Sequence, residues 1–174
     1  KIGTAGFLGL WLWDAASGKL EHRLHRVARK GFALSRGADV VLGVWQQSIF
    51  VWAGATGRLL RTVGVAMLIT ALALFPDGRR AAVFTPSEAA VWDVASGERL
   101  LELHGGALDG RSGDESFAVL AAGDAVAACS GDVWRPTPLE METEGDDMWD
   151  DDFAVEVSAS LWDATTGRLL HHTA

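Results

Sequence analysis

The sequence has little of what would mark it as a secreted, membrane-bound or catalytic protein. Its 174 residues include one cysteine, Cys129, which cannot form an internal disulfide; a reducing, cytoplasmic setting is therefore expected. No apolar run reaches the roughly 18 residues of a membrane span. The nearest stretch, residues 63–75, is interrupted by Gly64 and Thr70, so membrane insertion is not expected. No signal-peptide pattern is present, and the chain opens on Lys1 rather than Met, which leaves room for an upstream segment. The phosphate-loop pattern Gly-x-x-x-x-Gly-Lys-[Ser/Thr], the Gly-x-Ser-x-Gly elbow and the His-Glu-x-x-His metal motif are all missing. Gly3, Gly6 and Gly9 are spaced by three, but no helix is expected after them. The five histidines show no metal-ligand spacing. A non-catalytic protein with no cofactor and no metal is the expectation.

What is present is a phrase said four times: Leu12-Trp13-Asp14-Ala15-Ala16-Ser17-Gly18-Lys19-Leu20, Val51-Trp52-Ala53-Gly54-Ala55-Thr56-Gly57-Arg58-Leu59, Val91-Trp92-Asp93-Val94-Ala95-Ser96-Gly97-Glu98-Arg99-Leu100 and Leu161-Trp162-Asp163-Ala164-Thr165-Thr166-Gly167-Arg168-Leu169. Measured from Trp to Trp, the steps are 39, 40 and 70 residues. The last step equals one ordinary period of about 40 to 45 residues plus an insertion of about 30. With 49% apolar and 22% charged residues, the chain is globular rather than disordered.

Each repeat reads as short strands joined by turns. The first offers residues 7–14 and 20–24, and has room for only its second, third and fourth strands. The second offers 31–35, 39–45, 48–52 and 58–63. In the third, 68–75 and 79–85 flank the tight turn Pro76-Asp77-Gly78, followed by 88–93 and 97–103. The fourth offers 117–121 and 125–129 around Gly123-Asp124, then 155–162 and 168–172. Helices are disfavoured because Gly and turn pairs recur too often to leave helices of useful length.

The phrase Trp-Asp-x-x-[Ser/Thr]-Gly-[Lys/Arg]-Leu after an alternating strand, with Phe75-Pro76-Asp77-Gly78-Arg79 ahead of it in one unit, resembles the WD40-repeat family. The resemblance implies an all-β fold, a β-propeller of four-stranded antiparallel blades. About four blades are expected, near residues 1–24, 30–63, 67–103 and 116–174, the first incomplete. Trp13, Asp14, Trp52, Trp92, Asp93, Trp162 and Asp163 take the family's structural repeat positions, and the four Trp are expected in the core. Departures from the family pattern are clear: His104-Gly105 inverts the usual Gly-His pair, Ala53 replaces an Asp, and Phe7, Gln46, Pro86 and Glu156 stand where the pre-Trp Asp is expected. A polar network around the Trp is therefore not expected. An incomplete ring exposes an apolar end, to be covered by further blades of a longer protein, a second copy or another chain; a piece of a longer propeller is favoured.

The net charge of −8 is not spread evenly. Residues 132–156 hold ten acids against Arg135 alone, a charge of −9, and the remainder holds 13 acids and 14 bases. This acidic insertion within the last blade is the most individual stretch of the chain. Glu140, Glu142, Glu144, Asp146, Asp147, Asp150, Asp151 and Asp152, with Trp149 and Phe153 as anchors, form a candidate binding surface for a basic peptide or protein. Aromatic anchors supply much of the energy of such contacts while charges steer. Nucleic acid is disfavoured there by repulsion. The same acids suggest calcium only weakly, since their spacing departs from an EF-hand loop.

The function implied is a protein–protein interaction scaffold of WD40-propeller type. The alternative is a ligand-sensing or regulatory propeller domain of a larger bacterial signalling or defence protein, the source being suggested by Ala-, Gly-, Arg- and Leu-rich usage. Quinoprotein propellers share part of the phrase, but the Trp they carry shortly after it is missing here. His22 and His25 lie in a basic stretch with Arg23, Arg26, Arg29, Lys30 and Arg36, expected to be a solvated connection. Cys129 is expected to be a small buried hydrophobe.

Overall fold

The computed structural model describes residues 1–6, 9–24, 31–105, 116–133 and 155–173. Alternating apolar residues bounded by glycine turns build β-strands throughout these stretches, and each sheet is a plain antiparallel meander. The first sheet has three strands, β1 (Ile2–Gly6), β2 (Gly9–Trp13) and β3 (Leu20–Leu24). The second has four, β4 (Phe32–Leu34), β5 (Val40–Trp45), β6 (Ser48–Ala53) and β7 (Leu59–Gly64). The third comprises β8 (Ala71–Leu74), β9 (Arg80–Phe84), β10 (Ala89–Asp93) and β11 (Arg99–Leu103). The fourth comprises β12 (Ser116–Ala122), β13 (Ala125–Val133), β14 (Val155–Asp163) and β15 (Leu169–Thr173). No helix among the described residues is long and apolar enough to cross a membrane.

The repeated phrase forms the same object in every sheet. The third strand bulges at the phrase, between Leu12 and Trp13, Val51 and Trp52, Val91 and Trp92, and Leu161 and Trp162. A turn follows in which Gly18, Gly57, Gly97 and Gly167 adopt φ of 65 to 73°, a region glycine enters without a Cβ clash. The Asp after the Trp caps that turn. Asp14 Oδ1 accepts from the Ser17 amide and hydroxyl, Asp93 Oδ1 from the Ser96 amide, and Asp163 Oδ1 from the amides of Thr165 and Thr166. These bonds lower all three carboxyl pKa values: the Ser17 hydroxyl contributes most at Asp14, the Ser96 amide at Asp93 and the Thr165 hydroxyl at Asp163. The Ala53 methyl offers no acceptor, and the Thr56 amide donates to the Ala53 backbone oxygen at a long 3.3 Å.

Three apolar clusters lie between the four sheets, so each interior sheet is covered on both sides. Leu10, Leu12 and Leu24 of the first sheet pack on Val41 and Trp52 of the second. Leu42, Val44, Ile49 and Val51 of the second meet Leu72, Leu74, Ala81 and Val83 of the third. Ala73, Phe84, Ala89 and Val91 of the third meet Val126, Ala128 and Trp162 of the fourth. In every contact the phrase's Trp points back toward the sheet before it. Arg80 adds a polar link: it lies 4.5 Å over the Phe75 ring, pairs with Asp77 at 2.9 Å and donates to the Gly123 carbonyl at 3.2 Å.

Several expectations need correction. The Trp positions are not equally buried: Trp162 is wholly inside and Trp52 nearly so, but Trp92 and Trp13 are half-buried. The Trp polar network is not entirely absent either. Trp13 Nε1 donates to Thr4 Oγ1 at 2.9 Å, and Trp162 Nε1 donates to the carbonyls of His104 and Gly105 at 3.1 and 3.2 Å, which is how a buried indole is satisfied. Cys129 is exposed rather than buried. β8 begins at Ala71, not residue 68, while β13 runs on to Val133.

Candidate functional site

A meander sorts its connections into two ends. One end carries the repeated Gly turns and the turns that join the first and second strands of each full sheet. The other carries the connections between sheets together with the β5–β6, β9–β10 and β13–β14 links. The strands that flank the acidic segment, β13 and β14, open toward this second end.

The β13–β14 pairing is longer than its counterparts. In the second sheet the ladder runs from Trp52↔Val41 to Trp45↔Ser48, and in the third from Trp92↔Ala81 to Phe84↔Ala89. In the fourth it continues from Trp162↔Val126 to Asp132↔Glu156 and Val133↔Val155. The two acids at the edges of the expected insertion, Asp132 and Glu156, are thus register partners in a paired ladder. Residues 134–154 lie outside the described residues, and with them Glu140, Glu142, Glu144, Asp146, Asp147, Trp149, Asp150, Asp151, Asp152 and Phe153. The calcium expectation falls on the same segment; among the described residues no group of three or more His, Cys, Asp or Glu is gathered.

The described part of this end has apolar character that sequence reading did not single out. Trp45, at the tip of β5, is 44% exposed, and Met67 and Leu68 in the β7–β8 connection are 38% and 54% exposed. The Val65 amide donates to the Gln47 carbonyl at 2.7 Å, tying that connection to the β5–β6 turn. The Ser87 hydroxyl donates to Met67 Sδ at 3.0 Å, tying it to the β9–β10 turn. The signal available in the sequence was that Trp45 falls outside the repeat position, at a turn.

The other end is structural. His22 Nε2 lies 3.0 Å from the Ala55 carbonyl in the next sheet's turn, so His22 belongs to a strand and an inter-sheet contact rather than to a solvated connection. Arg61 Nη1 donates to the Ser96 carbonyl in the same manner. His25, Arg26, Arg29 and Lys30 lie outside the described residues. Ser160 Oγ and His172 Nδ1 are 2.9 Å apart; they are register partners of β14 and β15, at the place held by Phe50 and Thr62 in the second sheet and by Ala90 and Glu102 in the third.

No protein-family model matches the chain, and no curated protein matches it by sequence. Solved structures do. The Myceliophteria thermophila Cps50 (Swd1) β-propeller domain superposes with a TM-score of 0.61 at 14% identity over 94% of this chain. The computationally designed Ika8 protein superposes with 0.61 at 20% identity over 95%, and Kuenenia stuttgartiensis hydrazine synthase with 0.60 at 14% over 94%. At these identities the likeness is one of fold: an all-β propeller architecture. The chain spans 48%, 43% and 42% of those three chains, respectively.

Proposed function

We propose that this chain is a non-catalytic protein–protein interaction scaffold of WD40-propeller type, with a basic peptide or protein as its partner at the connection end. The observation that carries this reading is that exposed Trp45, Met67 and Leu68 lie at the same end of their sheets as the β13–β14 ladder that flanks the acidic segment, whose charge of −9 exceeds the chain's net −8. On a surface that combines exposed apolar residues with charge, the aromatic residue anchors and the charges steer. A rigid sheet scaffold carrying variable connections suits recognition, since the connections change while the core does not. Fold alone does not specify function, and the propeller likeness supports the kind of scaffold only.

The test is a titration of a fluorescent Lys/Arg-rich peptide, read by anisotropy, against the full chain and against a variant in which residues 136–153 are replaced by a short Gly-Ser linker. The full chain should bind with an affinity that falls as salt is raised, and the linker variant should lose most of that binding. Equal binding by both proteins would remove the acidic segment from the proposal. Trp45→Ala should weaken the full chain's binding by about tenfold, in line with the loss of an aromatic anchor.

A further inference from the structure

The side of the fourth sheet that faces away from the third is built like an interior surface and, among the described residues, lacks its cover. Its positions have counterparts in the third sheet, matched by register to the repeated Trp. Leu161 corresponds to Val91, Ala159 to Ala89, Ala127 to Ala82, Cys129 to Phe84 and Leu120 to Ala73. The third-sheet residues are 0 to 7% exposed because the fourth sheet lies over them. In the fourth sheet Leu120 is 65% exposed, Ala159 and Cys129 are exposed, and Leu161 and Ala127 are half-buried. A shallow apolar groove of about 280 Å³ is lined by them and by His171.

The first sheet has the reciprocal deficit. Ile2, opposite Trp13, takes the place of Val41, Ala81 and Val126. Those three are 0%, 2% and 0% exposed, whereas Ile2 is 52% exposed. The turns tell the same story. A Cβ at Gly57 or Gly97 would come within 2.9 Å of His22 or Val63 of the preceding sheet, and one at Gly167 would run into the Glu102 backbone, but Gly18 has nothing within 4 Å. His171 stands at the register position of His22, Arg61 and Leu101, the residues that touch the following turn in the three interior contacts.

We propose that the open side of the fourth sheet docks the first sheet of a second copy of this chain, head to tail. The occupant is identified by the three internal contacts: among the described residues each of the other three such surfaces is covered by a phrase-bearing sheet whose Trp points back into it, and the phrase-bearing sheet whose back is uncovered is the first. In that arrangement Trp13 of one copy covers Cys129 of the other, as Trp162 covers Phe84, and the turn at Gly18 meets His171. Head-to-tail contacts close a ring when the rotation permits. This chain spans 48% of the solved β-propeller domain it superposes on, so two copies together approach the length of that domain.

Sedimentation of the full chain at micromolar concentration should give twice its 18.5 kDa mass. Ile2→Glu and Leu120→Glu alter opposite surfaces at positions more than half exposed in the single chain, so each should keep the wild-type circular dichroism. Each variant alone should lose the closed dimer, and mixing the two should restore a dimer through the one surface pair left intact. Alkylation of Cys129 should slow severalfold when the wild-type chain is concentrated, and should show no such slowing in Leu120→Glu. A wild-type monomer at micromolar concentration overturns the proposal. So does a dimer that Leu120→Glu abolishes and Ile2→Glu leaves intact, since that is a surface pairing with itself.

Discussion

Phe84 and Trp162 meet edge to face across the third and fourth sheets, with ring centroids 5.8 Å apart and planes inclined by 62°. Both residues are fully buried. The indole nitrogen is held at the same time by the His104 and Gly105 carbonyls, so one side chain joins two sheets and the connection between them. Trp162→Ala removes the ring contact and leaves two carbonyls without their donor. It should cost about 3 to 5 kcal/mol, measured as a fall in urea stability. A cost below about 1 kcal/mol would contradict the central place of this contact.

Ala53 stands where three other turns have a capping Asp. Ala53→Asp should provide the Thr56 amide with a side-chain acceptor like those at Asp14, Asp93 and Asp163, raising the thermal midpoint by roughly a few degrees. Differential scanning calorimetry checks it; no rise, or a fall, would show that the Asp cap is irrelevant to this turn.

Gly18 and Gly97 share the same left-handed backbone but not the same surroundings. Gly18→Ala meets nothing within 4 Å and should cost about 1 kcal/mol in conformation alone. Gly97→Ala carries that cost and also drives a methyl to 2.9 Å from Val63, so its loss should be at least about twice as large. Equal losses by urea denaturation at concentrations where the chain is monomeric would refute the inter-sheet role of the turn.

Acid should weaken the fold through the turns. Asp14, Asp93 and Asp163 have carboxyl pKa values lowered from 3.8. At Asp77 burial pushes the value up, but hydrogen bonds from the Arg79 and Arg80 amides and the Arg80 side chain outweigh it and the result is again lowered. Groups with depressed folded pKa values contribute stability above their unfolded pKa and lose it as pH falls through the folded one. The contribution of these four groups should therefore be constant above about pH 5 and decline below about pH 4. Asp77→Asn should flatten part of that decline in a series of urea melts; an identical acid slope would exclude Asp77 as a contributor.

The strands, their order and the capped turns could be read along the chain because they depend on local matters: alternating side chains, a glycine able to take positive φ, and an Asp three residues before a Ser or Thr amide. The resemblance carried by the Trp phrase added the grouping into sheets. Local reading erred where the answer depends on what lies across a gap. Cys129 sits on an apolar strand and reads as core, as Phe84 does at the equivalent position; one is exposed and the other buried because, among the described residues, the third sheet has a neighbour on that side and the fourth does not. Ile2 and Val126 share one register position and differ in burial for the same reason. Ile69 is buried although it lies in a connection, so an apolar run from residue 68 reads as strand before β8 begins at Ala71. The sequence by itself therefore determined the repeating unit, since that unit is closed by bonds within about 40 residues. Only the tertiary structure decided which faces are covered, because burial is set by the packing of one sheet on the next.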